Sequence, residues 1–235
     1  AFADKCWPAF PSQFGFEPCY VNSRLASRGI PVSCEVDIYG ALSEYIGICA
    51  SGDTVTLLDI NNSVPKYIYD EDISGKFDYK LTDTFMGFHC GNTPACKMCG
   101  DRAVKYQLIQ HRLLEPVGSD PDFTRGTLEG DIAPSDITFY RLQCDSEGQL
   151  RAYIAEGEIL PVATRSFGGI AIFAIPEMGR FYRHVLIQKR YPHHGAVAFG
   201  HYGKTLFEVL KFFGIADIAY NQPKSLPYPT ENPFA

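Results

Sequence analysis

From residue 18 the apolar positions recur at helical spacing. Tyr20, Val21, Leu25 and Ala26 share one side of a helix that Pro18 opens and Gly29 ends. A short, mostly apolar run over 29–34 then predicts a buried strand. From Asp37 the helical period returns through Leu42, Tyr45, Ile46 and Cys49 and stops at Gly52. Val55-Thr56-Leu57-Leu58 is rich in β-formers and gives out at Asp59, ahead of the turn-prone Asn61-Asn62. Past about residue 60 the alternation shortens and aromatic and turn residues multiply, which predicts a β-rich unit. Its clearest hairpin pairs 137–142 with 150–155 across Asp145-Ser146-Glu147-Gly148. Residues 169–174 and 184–187 read as further strands. Leu206, Val209, Leu210 and Phe213 mark one late helix that Gly214 ends, and the proline-bearing tail 222–235 reads as an extended arm.

Composition places this pattern in an ordinary globular protein of 235 residues with 46% apolar side chains. No apolar run reaches the length that spans a bilayer, and Ala1-Phe2-Ala3-Asp4-Lys5-Cys6 lacks a signal-peptide layout. The formal charge of −6, with scattered cations, predicts no nucleic-acid or membrane partner. Of the eight cysteines, Cys6, Cys19, Cys34, Cys49 and Cys144 are dispersed among apolar residues and read as reduced thiols of a cytoplasmic protein. The chain opens on Ala1 and a Trp7-Pro8-Ala9-Phe10 segment typical of a protein's middle, so missing N-terminal domains are expected to precede it.

Half of the six histidines lie in Pro192-His193-His194-Gly195-Ala196-Val197-Ala198-Phe199-Gly200-His201, a clustering that points to a metal. Gly195 reads as clearance for a substrate. Glu35 and Asp59 each sit where a strand gives out, the position at which open α/β sheets bind ligands. Two carboxylates and an imidazole suit a fairly hard divalent ion such as Mn²⁺ better than a structural zinc site. Plainer roles fit the same positions: Glu35 as a helix-initiating carboxylate, Asp59 as the acceptor of an Asx turn, the histidines as surface or packing residues. Cys96-Lys97-Met98-Cys99 has zinc-ligand spacing and Cys90 and His89 precede it, but the second ligand pair is imperfect, and incidental thiols near the site mouth are the better reading.

The segments Gly29-Ile30-Pro31-Val32-Ser33-Cys34-Glu35-Val36-Asp37-Ile38-Tyr39-Gly40-Ala41, Leu58-Asp59-Ile60-Asn61 and the histidine stretch, in that order, resemble the C-terminal half of the L-fucose isomerase and L-arabinose isomerase superfamily. The resemblance implies an α+β chain. Residues 1–60 would end an α/β, Rossmann-like domain, and 61–235 would form an antiparallel β-barrel-like isomerase domain. It also implies a catalytic Mn²⁺, or another divalent ion, on Glu35, Asp59 and His194.

The reaction so implied is the aldose–ketose isomerisation of a pentose or deoxyhexose through an ene-diol, with Glu35 and Asp59 also moving the proton. His194 would be a ligand only, while His193, its strand neighbour, would turn away. His89 stands where arabinose isomerases carry a further metal-binding histidine. Trp7, Gln13 and Tyr39 are candidates to line the sugar, and Arg190 and His201 to support the ligands from behind. Members of the superfamily are oligomers, commonly hexamers. Two other readings stay open: a non-catalytic carbohydrate-binding or structural fragment, and a metallohydrolase.

Overall fold

The computed structural model of the chain describes residues 1–235 apart from 7, 62, 91, 101, 102, 106–116, 121–126, 233 and 235. Strands β1 (Phe2–Ala3) and β2 (Val32–Ser33) pair in parallel and flank helices α1 (Ala9–Phe14) and α2 (Cys19–Ala26). Helix α3 (Ile38–Ser51) follows. The Asp37 carboxylate caps it by accepting from the Gly40 N–H at 2.8 Å, and left-handed Gly52 closes it by donating to the Ile48 carbonyl. Helices α2 and α3 form where the sequence signals place them, and α1 is an addition to that reading. Among the described residues, parallel pairing in this N-terminal part is limited to β1 and β2.

The rest of the chain builds around one mixed sheet. Its strands are β3 (Val55–Asn61), β4 (Thr84–His89), β5 (Ala103–Lys105), β6 (Thr127–Asp131), β7 (Ser135–Cys144), β8 (Leu150–Ile159), β9 (Gly169–Ala174), β10 (His194–Phe199) and β11 (Asp217–Tyr220). They lie in the order β11-β8-β7-β10-β3-β4-β9-β6-β5. Neighbours run antiparallel except β11 on β8 and β6 on β9. β8 pairs a second time, with β9 through Glu158↔Ala174 and Ile159↔Phe173, so the central strands bend round until their ends meet. The expected domain boundary at 60/61 falls inside β3, which pairs with β10 and β4 in the middle of this sheet.

Alternation along each strand separates two cores. Leu58, Phe139, Tyr153, Phe173 and Val197 pack on the enclosed side. Val55, Leu57, Tyr140, Ala196 and Ala198 face outward, where Ile46 of α3 and Leu206 and Leu210 of helix α4 (Gly203–Phe212) cover them. Each fully buried Val, Leu or Phe among them contributes about 1.5–3 kcal/mol relative to exposure.

Gly195 belongs to the enclosed side. A Cβ there would meet Phe139 ring atoms at 2.0 and 2.3 Å, so the glycine makes room for a core ring and not, as its place beside His194 suggests, for a substrate. Gly195→Ala is therefore expected to lower stability by about 1–3 kcal/mol through overpacking. Urea unfolding checks this, with a shifted midpoint at unchanged slope.

The segment 184–187, expected as a strand, is instead part of a wide π-helical stretch, Tyr182–Ile187, that continues a short helix, Met178–Phe181. Val185 and Leu186 are consecutive yet both enter the core, which a helical stretch permits and a strand's alternation forbids. The tail packs on this segment: Glu231 forms a two-pronged pair with Arg180 at 2.7 Å, and Tyr228 stacks on His184.

Candidate metal centre

The register of two strands brings the first two ligand candidates together. Asp59 of β3 and His194 of β10 are directly opposite in the antiparallel ladder, and His194 Nε2 lies 3.0 Å from Asp59 Oδ1. Both point to the outward side, toward the start of α3. Glu35 arrives from the loop before that helix, its Oε2 3.5 Å from His194 Nε2. The loop is strained: Glu35 and Val36 sit at φ 62° and 58°, a left-handed conformation that costs a non-glycine residue about 1–3 kcal/mol. The Val36 N–H donates to the Asp4 carbonyl at 2.8 Å and helps to hold it.

His193 does not turn away. It precedes the strand, where alternation has no force, and its Nε2 lies 3.5 Å from Asp59 Oδ1 with its ring 4.4 Å from that of His194. His89, at the end of β4, is buried with its ring 6.0 Å from His194. Glu35, His193 and His194 form one set of donors within 4.8 Å of one another, and Asp59, His89 and His194 form a second.

Behind His194 stands a pair that the sequence reading missed. Asp37 Oδ2 lies 2.7 Å from His194 Nδ1, and the Arg141 guanidinium grips the same carboxylate at 2.5 and 2.7 Å. Arg141 also reaches the Gln143 side chain and the His194 carbonyl. Arg141 is only 3% exposed. A buried cation in the otherwise apolar run Ile137-Thr138-Phe139-Tyr140 was the available signal, since such a charge requires a partner.

His194 Nδ1 faces the Asp37 carboxylate and Nε2 faces that of Asp59. Burial works against a charged ring, but the Asp37 and Asp59 carboxylates beside it override this and lift the His194 pKa to about 9. Asp59 shows the reverse balance: burial opposes its charge, and the neighbouring imidazoles, His194 foremost, hold the carboxyl below its ordinary value. Deeper in, Glu44 of α3 accepts a hydrogen bond from the Ser33 hydroxyl, and burial pushes its carboxyl up to about 7.

The remaining candidates scatter. Tyr39 lines a cleft of about 390 Å³ with Glu35, Asp37, Arg141, His193 and His194. Gln13 is exposed on α1, away from that lining. Trp7 lies outside the described residues. Arg190 is exposed in the turn before Tyr191, and His201 lies beyond the far end of β10, against the Gly157 carbonyl. Cys96 and Cys99 are exposed, and among the described residues they form no metal-ready group with Cys90.

The family described as "L-fucose isomerase, C-terminal domain" matches residues 87–220, more than half of the chain. The chain belongs to this sugar isomerase family. A sulfoquinovose isomerase of Clostridium sp. (strain MSTE9) is 26% identical over 185 residues, covering 75% of this chain and 34% of that protein. Another, of Alkalicoccus urumqiensis, is 24% identical over 223 residues, 92% of this chain and 43% of its own. One from Priestia aryabhattai is 41% identical over a shorter stretch of 46 residues, 20% of this chain and 10% of that protein. The chain thus spans less than half the length of these curated relatives. The matched region carries His89, Arg141, His193 and His194, whereas Glu35, Asp37 and Asp59 precede it.

Proposed function

We propose that this chain carries the metal-binding and proton-transfer residues of an aldose–ketose isomerase. The observation that supports the reading best is a convergence of buried polar atoms without hydrogen-bond partners: Asp59 Oδ1, His89 Nε2 and His194 Nε2. Such atoms are costly unless something else satisfies them, and a carboxylate with an imidazole lone pair suits a divalent ion of the Mn²⁺ kind. Glu35, Asp59 and His194 would hold the ion, which when bound polarises a sugar carbonyl and steadies the charge that grows beside it.

The residues divide the remaining work. Asp59, held ionised, and Glu35, more exposed and at the cleft, are the two carboxylates placed to move a proton between carbon 2 and carbon 1. The Cys90 N–H donates to His89 Nδ1 at 3.1 Å, which puts the ring's own proton on Nε2. His89 in that tautomer offers a donor to a sugar oxygen and not a lone pair to the ion. Asp37 and Arg141 orient His194, a task common behind metal-bound histidines.

The relatives' printed name adds sulfoquinovose to the pentoses and deoxyhexoses worth testing as substrates. In D₂O the full-length protein is expected to place deuterium on carbon 1 of the ketose, dependent on added Mn²⁺. Sugar binding without label under any of these aldoses would reject proton transfer and leave a carbohydrate-binding fragment.

A further inference from the structure

Three of the eight cysteines gather out of solvent beneath the loop that carries Glu35, with the half-buried Cys90 beside them. Cys6, Cys19 and Cys34 are each at most 5% exposed. Cys34 lies beside Cys6, and Cys90 beside Cys19. Buried thiols alone would be unremarkable, since a reduced cysteine packs like a small apolar side chain. The carboxylates among them are not explained that way. Asp4 Oδ1 and Glu17 Oε1 are both buried without a hydrogen-bond partner, and Glu17 is only 4% exposed, close enough to Cys6 and Cys90 for their charges to oppose its own.

We propose that Asp4, Cys6 and Cys34 form a second cation site, for a borderline-soft divalent ion of the zinc class, distinct from the histidine–carboxylate centre. A carboxylate oxygen of Asp4, Cys6 Sγ and Cys34 Sγ all lie within 4.8 Å of one another. Sulfur ligands about 2.3 Å from a tetrahedral ion stand about 3.8 Å apart, so binding needs only a modest inward movement of the three. Both thiol protons pass to solvent as the ion enters. Thiolates select zinc over manganese, and the oxygen–nitrogen donors of the other centre have the opposite preference, so the two sites sort their ions by chemistry.

The position gives the site a structural task. Asp4 N–H donates to the Ser33 carbonyl at 2.9 Å and the Asp4 carbonyl accepts from Val36 N–H, so an ion on Asp4, Cys6 and Cys34 would clamp β1 to the strained turn that presents Glu35.

Co²⁺ alone, added to the metal-stripped full-length protein, is the probe. Thiolate-to-cobalt charge-transfer absorption in the near ultraviolet is expected in the wild type and in Asp59→Asn, with affinity at least tenfold weaker in Cys6→Ser and in Cys34→Ser. In the unaltered protein, added Zn²⁺ should also displace Co²⁺ and abolish that absorption, a measurement that needs no variant to fold. Absence of the absorption in the wild type, its survival in both serine variants, or a Cys6–Cys34 disulfide in the purified protein would each overturn the site. Loss of Mn²⁺ binding in Asp59→Asn with the cobalt signal intact would show the two centres to be separate.

Discussion

Asp59→Asn is expected to leave the fold standing and to remove most of the isomerisation rate, about 10²- to 10⁴-fold. The substitution keeps volume and shape at a position where β3 meets β10, so the Asp59↔His194 ladder should survive. What it removes is the charge that His194, His89 and His193 hold in place, and with it both a metal-seeking oxygen and a proton acceptor. Far-UV circular dichroism should match the wild type, while Mn²⁺ titration shows weaker binding. A rate unchanged at saturating Mn²⁺ would reject the acid–base role of Asp59.

Arg141→Met should do the reverse damage, to stability first. Its guanidinium is buried against Asp37, and removing one member of such a pair costs about 3–5 kcal/mol because the other charge stays behind uncompensated. Burial opposes the Asp37 charge, yet bonding to His194 and Arg141 depresses its pKa below the ordinary 3.8. That depression adds stability above the unfolded-state value and loses it as pH falls through the folded one. The gap between wild type and variant should accordingly narrow on acidification, as urea unfolding at a series of pH values would show. Adding Asp37→Asn to the variant should recover part of the stability but not the metal affinity, since Asn no longer anchors His194 as an anion does. A double variant with wild-type Mn²⁺ affinity would show that Asp37 has no part in positioning the ligand.

Local signals carried much of this structure. Asp37 and Gly52 bracket α3 because capping chemistry is written within a few residues, and the β7–β8 hairpin announces itself through Asp145 to Gly148. Glu35, Asp59 and His194 were singled out as candidate ligands through their order and family resemblance, and the structure places Glu35 and Asp59 within 3.5 Å of His194 Nε2. What escaped depended on distance or on facing. Arg141 and Asp37 are 104 residues apart, and nothing local to either names the other. Gly195 and His193 were misjudged from adjacency alone: one faces Phe139 across the enclosed core, and the other sits before the strand begins. The apolar run at 184–187 was too short for its period to separate strand from helix.

Because Asp59 and His194 are cross-strand partners, the pairing frame of β3 and β10 is itself the address of the proposed metal centre. A one-residue insertion between Val55 and Asp59 would turn the carboxylate toward Phe139 and Tyr153 and present Leu58 to the histidine. Such a chain could keep every ligand residue in its sequence and still possess no site. Intact motifs alone are therefore a poor guide to function in relatives of this protein; the number of residues between strand start and ligand is the quantity to compare.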